Sequence, residues 1–297
     1  MAISVKLIRE LRAATGAGVL DTKRALESTG GDFDQAARIL REKGLAKAAK
    51  RTGRETAEGH VEGRLEDKRV GLLVEVNCET DFVSRNENFV AFSNDLADHF
   101  FAVAQEGQPL EEVMNAAFFK DAGATPAEML KGQISTTGEN MVVRRFVRYE
   151  LDKRPGVVEV YIHPGNRVGV MLELNSETAA GASQEAFATL SHDLALHIAA
   201  AAPLCITRDE LSAEKLKAKQ AIYRNQALAE GKPEQIVERI VEGRLKKFYQ
   251  SAVLLEQPFV KDDKISITKL LKQNAAALGE ALTIRRFARY ELGESLD

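Results

Sequence analysis

The 297 residues leave room for about two domains with smaller modules attached. A composition of 44% apolar and 29% charged residues, with a mean hydropathy of −0.23, describes a globular chain in water and excludes a membrane-spanning helix, which needs about 20 consecutive apolar residues. With 41 Lys and Arg against 44 Asp and Glu the net charge is −3, so no basic field draws the chain to nucleic acid, and a protein partner fits better. Cys78 and Cys205 stand far apart in no ligand spacing, which argues against both a disulfide framework and a zinc site.

The first residues mix charged and apolar side chains, unlike a secretory signal or an Arg-rich transit peptide, and a cytoplasmic protein is expected. Residues 4–43 read as three short helices. Ser4 is placed to cap the first, with Val5, Ile8 and Leu11 on one face. Gly16 and Gly18 break the chain, a second helix runs from about Val19 to Ser28, and Asp32 with Gln35 has capping-box spacing for a third helix ending near Gly44. Gly16-Ala17-Gly18 lacks the preceding strand and third glycine of a dinucleotide-binding turn, so no cofactor is expected there. Val19 and Leu20 are either core or a contact patch, with core the expectation for at least one. The most basic stretch, residues 43–54, reads as a solvated linker in preference to a contact with RNA.

The chain then matches itself. Residues 70–102 align with 168–200 at an offset of 98, and residues 143–151 align with 284–292 at an offset of 141, so one unit occurs twice and the second copy carries 43 additional residues. Each copy reads as strand, turn, strand, loop, helix and returning strand, with turns at Glu66-Asp67-Lys68 and His163-Pro164-Gly165-Asn166. The fold class is therefore α+β. Each copy makes a small three-stranded antiparallel sheet whose apolar face is covered by a helix, at about residues 86–105 and 184–201. After a shared Glu-Thr the copies diverge: Thr80 is followed by Asp81, Phe82 and Val83, Thr178 by Ala179, Ala180 and Gly181. Residue type alone makes Phe82 and Val83 buried anchors as readily as exposed ones. Their absence from the paired copy shifts the reading toward an apolar probe beside a carboxylate, the composition of a recognition hot spot.

The additional residues read as helix, tight turn at Gly231-Lys232-Pro233, and helix. Val237, Val241, Leu245, Phe248 and Ala252 make one apolar stripe, so an antiparallel coiled-coil hairpin is expected to stand out from the core. The arm reads first as a brace, with a partner contact or dimerisation as alternatives. The domains are then 1–54, a three-helix module with its linker; 55–152, the first core copy; 153–206 with 253–297, the second; and 207–252, the arm. His192, Asp193, His197 and Cys205 are the best candidates for catalysis, but His197 pairs with His99 in the repeat, which favours packing. No catalytic residue, metal or cofactor is expected.

Residues 11–18 with Asp21, Lys23, Ala25 and Leu26, and residues 75–86, resemble the signatures of the elongation factor Ts family. The duplicated core, the inserted hairpin and residues 254–260 extend the resemblance over nearly the whole chain. It implies a non-enzymatic factor that binds elongation factor Tu with GDP and promotes GDP release so that GTP binds, and it makes the N-terminal module UBA-like. By the same resemblance Thr80, Asp81, Phe82 and Val83 form a loop that enters the partner's G domain near its magnesium site. Phe82 would wedge between helices and Asp81 would perturb the metal's surroundings. His163 resembles a contact to another domain of that partner, and Val19 and Leu20 occupy the position of a contact from the N-terminal module. The chain ends five residues after Leu292, short of a helical module that many members carry, so no contact is carried over from that module. A ribosome-associated adaptor without exchange activity is the alternative. Neither a small-molecule substrate, sequence-specific nucleic acid nor a membrane is implied.

Overall fold

The structure, a computed structural model, describes residues 3–296. Caps and glycines divide the N-terminal module into α1 (Val5–Thr15), α2 (Val19–Ser28) and α3 (Phe33–Ala49). Ser4 Oγ accepts the Leu7 N–H at 3.1 Å, Gly16 ends α1 in the left-handed region, and the Asp32 carboxylate accepts the Gln35 N–H at 2.9 Å. Leu11, Ala25, Leu26, Ala36 and Leu40 form the module's core. Val5 does not join it: Leu7 and Ile8, four and three residues before Leu11, share its face, whereas Val5, six residues before, lies about 120° round the helix and stays exposed.

The third helix runs past Gly44, so the first part of the basic stretch expected as a linker is helical. Gly44 is buried where α3 crosses α7 (Pro126–Thr137), and a Cβ there would lie 3.0 Å from Ser135 Oγ. The close helix crossing offsets the ~1 kcal/mol that a mid-helix glycine costs. Arg51 adds a hydrogen bond to the Ile134 carbonyl at 3.5 Å, tying the module to the core.

The first core copy is β1 (Glu58–Glu66), β2 (Val70–Cys78), the one-turn α4 (Asp81–Ser84), α5 (Glu87–Val103), α6 (Leu110–Asn115), α7 and β3 (Met141–Glu150). The second is β4 (Gly156–Ile162), β5 (Val168–Asn175), the one-turn α8 (Ala179–Ala182) and α9 (Glu185–Ala201). The arm, α10 (Ala213–Ala229) and α11 (Glu234–Ala252), interrupts that copy, which resumes with β6 (Pro258–Phe259), β7 (Asp262–Ser266), α12 (Ile267–Leu278) and β8 (Thr283–Glu291). The two main sheets are antiparallel with orders β1-β2-β3 and β4-β5-β8, and β6 pairs β7. The α+β class and its duplicated small sheets thus match the sequence reading.

The layers are helix, sheet, sheet, helix. Leu72, Val74 and Val76 point from β2 into a cluster with Phe89, Phe92, Leu96 and Phe100 of α5. Val170, Leu172 and Leu174 of β5 meet Phe187, Leu190, Leu194 and Ile198 of α9 in the same way. The opposite faces pack on each other through Val61, Leu73, Tyr149, Val158, Met171 and Tyr290. That contact is close enough to demand glycine: a Cβ on Gly71 would lie 2.6 Å from Val158 Cγ1, and one on Gly169 2.6 Å from Val61 Cγ1.

Each sheet carries one β-bulge at the same place, between Glu75 and Val76 and between Glu173 and Leu174. The extra residue sets two consecutive arginines against one fully buried glutamate. Glu75 receives Arg144 at 3.3 Å and Arg145 at 2.7 Å, and Glu173 receives Arg285 at 3.2 Å and Arg286 at 2.6 Å. Arg145 stacks 3.9 Å over Tyr290 of the other copy, and Arg286 stacks 4.0 Å over Tyr149. The copies are therefore cross-bolted.

In the arm, Val237 and Val241 of α11 pack with Ala227 and Tyr223 of α10, and Leu245 extends the stripe. Arg244 reaches Glu230 at 2.7 Å across the pair, and Arg224 pairs with Glu238. Helices of 17 and 19 residues give the arm a length of about 25–28 Å.

Candidate functional site: a capped turn presenting an aromatic ring

Strand β2 ends at Cys78, whose buried thiol donates to the Thr80 carbonyl at 3.3 Å. Burial, reinforced by the charge of Glu139, pushes that thiol up to about 12, so it is an inert packing group. Thr80 caps α4, its hydroxyl oxygen accepting the Val83 N–H at 3.4 Å. The Thr80 N–H and O–H are in turn gripped by the Glu139 carboxylate at 3.0 and 2.6 Å. Glu79 returns the favour, accepting the Asn140 N–H at 2.6 Å and pairing with Arg54 at 3.4 Å. The turn before β3 therefore clamps the turn after β2.

On this scaffold the Phe82 ring is 84% exposed, which excludes the buried-anchor reading for it. Val83 is half-buried and packs on the first copy's core, so of the two apolar residues only Phe82 projects. A single helical turn separates successive side chains by about 100°, which sends one inward and the other out. Asp81 opens the turn with its carboxylate 3.2 Å from the Arg85 guanidinium, both groups accessible to solvent. In the second copy Thr178 caps α8 in the same manner and Glu280 grips its N–H at 3.1 Å, but Ala180 stands where Phe82 would be.

Val19 and Leu20 are 51% and 70% exposed at the start of α2. The expectation that at least one is core is corrected: burial on α2 begins a turn later, at Thr22, Ala25 and Leu26. His163 is exposed on the β4–β5 turn, with Nδ1 2.8 Å from the Tyr161 hydroxyl. The structure gathers Thr80, Asp81, Phe82 and Val83 in one capped turn, and puts Val19 and Leu20 together at the start of α2 and His163 on the β4–β5 turn. Sequence reasoning missed Glu139. The signal lay in the 141-residue offset, which aligns Gly138-Glu139 with Gly279-Glu280.

His197, one of the candidates for chemistry and the one its pairing with His99 assigned to packing, is fully buried. Its Nε2 lies 2.9 Å from Gln257 Oε1 and its Nδ1 accepts the Val260 N–H at 3.3 Å. His99 repeats this with the Val113 carbonyl at 3.2 Å and the Phe119 N–H at 3.3 Å. Desolvation lowers the pKa of both rings below 6.5, and each holds its neighbouring segment as a neutral Nε2–H tautomer. Burial raises the Cys205 thiol. Among the described residues no group of three His, Cys, Asp or Glu is arranged for a metal, and no helix is long and apolar enough to cross a membrane.

The two histidines predict an acid response. Well above 6.5 they are neutral in both folded and unfolded chains and contribute nothing to the pH dependence. Below it the unfolded chain binds protons that the folded chain refuses, so stability falls as the pH drops. Glu106 and Glu256, held low by hydrogen bonds from Arg286 and Arg208, add their loss only below their ordinary value of 4.5. Urea midpoints should therefore be flat well above 6.5 and decline as the pH falls through 6.5 toward 4.5, and a variant with both His99→Gln and His197→Gln should lose that decline. A decline unchanged in the double variant would contradict the assignment.

A family model described as elongation factor TS matches residues 79–294. The chain is 46% identical to an elongation factor Ts from Clostridium botulinum (strain Alaska E43 / Type E3) over 99% of this chain and 94% of that protein. It is 43% identical to one from Trichlorobacter lovleyi and 40% identical to one from Halothermothrix orenii, each over 100% of this chain and 94% of the relative.

Proposed function

This chain belongs to the elongation factor Ts family, and from that membership we propose that it is a translation elongation factor that releases GDP from elongation factor Tu by inserting the α4 turn beside the nucleotide's magnesium ion. The observation that carries the reading is the Phe82 ring, 84% exposed on a clamped turn whose twin in the second copy bears only Ala180. The fold has no use for that ring, and an aromatic side chain beside a carboxylate is the makeup of a binding hot spot.

A nucleotide held through Mg²⁺ leaves slowly because the ion neutralises the phosphates and orders the loops around them. A factor that binds the nucleotide-free state better shifts the balance, and a swing from 1:99 to 99:1 needs about 5.5 kcal/mol of differential affinity. One turn does not supply this alone. Val19 and Leu20 on the N-terminal module, His163 on the second copy and the arm would spread the footprint toward the ~2,000 Å² of large signalling interfaces. Ile222, Leu228 and Ile236 remain exposed on the arm, which supports a contact there in addition to bracing. In this division of labour residues 1–54 and 207–252 anchor the partner, 55–152 present Phe82, and 153–206 with 253–297 grip a second domain. No covalent step is needed, the site of action is the cytoplasm, and linkage requires that nucleotide expel the factor in return.

Mixing the chain with elongation factor Tu loaded with fluorescent GDP should accelerate release, and excess unlabelled GDP should drive the two proteins apart. Unchanged release together with salt-sensitive ribosome binding would instead identify an adaptor.

A further inference from the structure

The geometry points to Glu139 as a positioning residue for exchange: through Thr80 it fixes the α4 turn in the orientation that presents Phe82. This inference rests on the exchange reading above and assigns the turn's rigidity to one side chain. Four residues are too few for a helix to persist unaided in water. The turn α4 is held by Thr80, whose N–H and O–H both donate to Glu139 at 3.0 and 2.6 Å, leaving the hydroxyl oxygen to accept the Val83 N–H. Glu139 is itself fixed where α7 ends: its N–H donates to Thr137 Oγ1 at 3.3 Å, and Gly138 turns the chain in the left-handed region.

The second copy is an internal control. Glu280 grips Thr178 with the same pair of hydrogen bonds, yet presents no ring. The difference lies one residue further on. A Cβ on Gly181 would lie 2.1 Å from the Glu280 carboxylate, so that clamp closes over the position Val83 occupies in the first copy. Glu139 leaves room for Val83, which packs on the core. The first turn is thus fixed from both sides, by a carboxylate at its cap and an apolar anchor at its third residue, with Phe82 between them.

If Glu139 only secures the fold, its loss and the loss of Glu280 should act alike. If it orients Phe82, only its loss should slow exchange. Releasing the cap makes the insertion-competent orientation a minority state and lowers the maximal release rate by that fraction, while encounter affinity, spread over the remaining footprint, changes little. In stopped-flow release of fluorescent GDP, Glu139→Ala should reduce the rate at saturating factor by about tenfold with a nearly unchanged half-saturating concentration. Glu139→Gln, which keeps a carbonyl for the Thr80 N–H, should recover most of the rate, and Glu280→Ala should match the parent. Because the chain has no tryptophan, Phe82→Trp supplies a single reporter, and adding Glu139→Ala should lower its fluorescence anisotropy in the free factor. Parent-like exchange by Glu139→Ala, or an equal loss in Glu280→Ala, overturns the assignment. If Glu139→Ala does not fold, Glu139→Asp decides by the same two readouts, its shorter side chain drawing the carboxylate back from the Thr80 N–H and hydroxyl: rate and anisotropy both at parent values overturn the assignment. Should Phe82→Ala itself leave release unchanged, the exchange reading of the turn fails first, and the two failures are distinct.

Discussion

Phe82→Ala is expected to slow GDP release at saturating factor by roughly 30-fold, a loss of about 2 kcal/mol, the threshold of a hot-spot anchor. The thermal unfolding midpoint should not move. Both halves of this expectation come from one fact: the ring is 84% exposed, so truncation opens no cavity and strands no polar group. The second copy runs the experiment already, since its Thr178-capped turn forms with Ala180 in that place. Phe82→Leu should recover part of the rate by restoring apolar volume without the ring. Stopped-flow release paired with calorimetry separates the outcomes. A variant that exchanges as fast as its parent removes Phe82 from the mechanism, and a lowered midpoint would show that the ring supports the fold.

The largest effect on stability is expected from Glu75→Ala, which should cost about 3–5 kcal/mol in urea unfolding. Its carboxylate is fully buried and receives Arg144, Arg145, the Asn77 side chain at 3.1 Å and the Gly293 N–H at 3.1 Å. Removing it leaves two largely enclosed guanidiniums without the carboxylate they share. It also loosens the C-terminal segment, whose Gly293 N–H loses its acceptor, and the stack of Arg145 on Tyr290. Burial of this interface is deep enough to push the Tyr149 hydroxyl up to about 12. Glu75→Gln keeps the hydrogen bonds but not the charge and should fall between the parent and Glu75→Ala. Glu173→Ala should be nearly as costly in the second sheet. A loss below about 1 kcal/mol in Glu75→Ala would mean that water reaches the arginines and that the copies are held together by the apolar contact alone.

Much of this protein was legible in its residues because caps, turns and periodicity are local. Ser4, Asp32 and the glycines Gly16, Gly18, Gly30 and Gly31 delimited the first two helices and the start of the third, whose end Gly44 did not mark, and the near-identity of 143–151 and 284–292 announced two copies of one sheet. The stripe from Val237 to Ala252 predicted the arm, of which Val237 and Val241 are the buried centre. The apolar run of β2 on both faces, with Gly71 within it, carried the mark of sheet-on-sheet packing, but a run of that kind does not name what covers its second face. Tertiary structure decided that, and it decided exposure. Phe82 and Val83 are adjacent apolar residues, yet one projects and the other packs, and Val19 and Leu20 lie beyond the reach of the faces that bury the rest of α2. Glu139 meets Thr80 across 59 residues of chain, a separation at which no spacing rule operates. Sequence determines the repeating pattern along each element because the backbone sets a period of 2 or 3.6; which side of that pattern meets another element depends on how distant segments close on one another, and that is where this site was made.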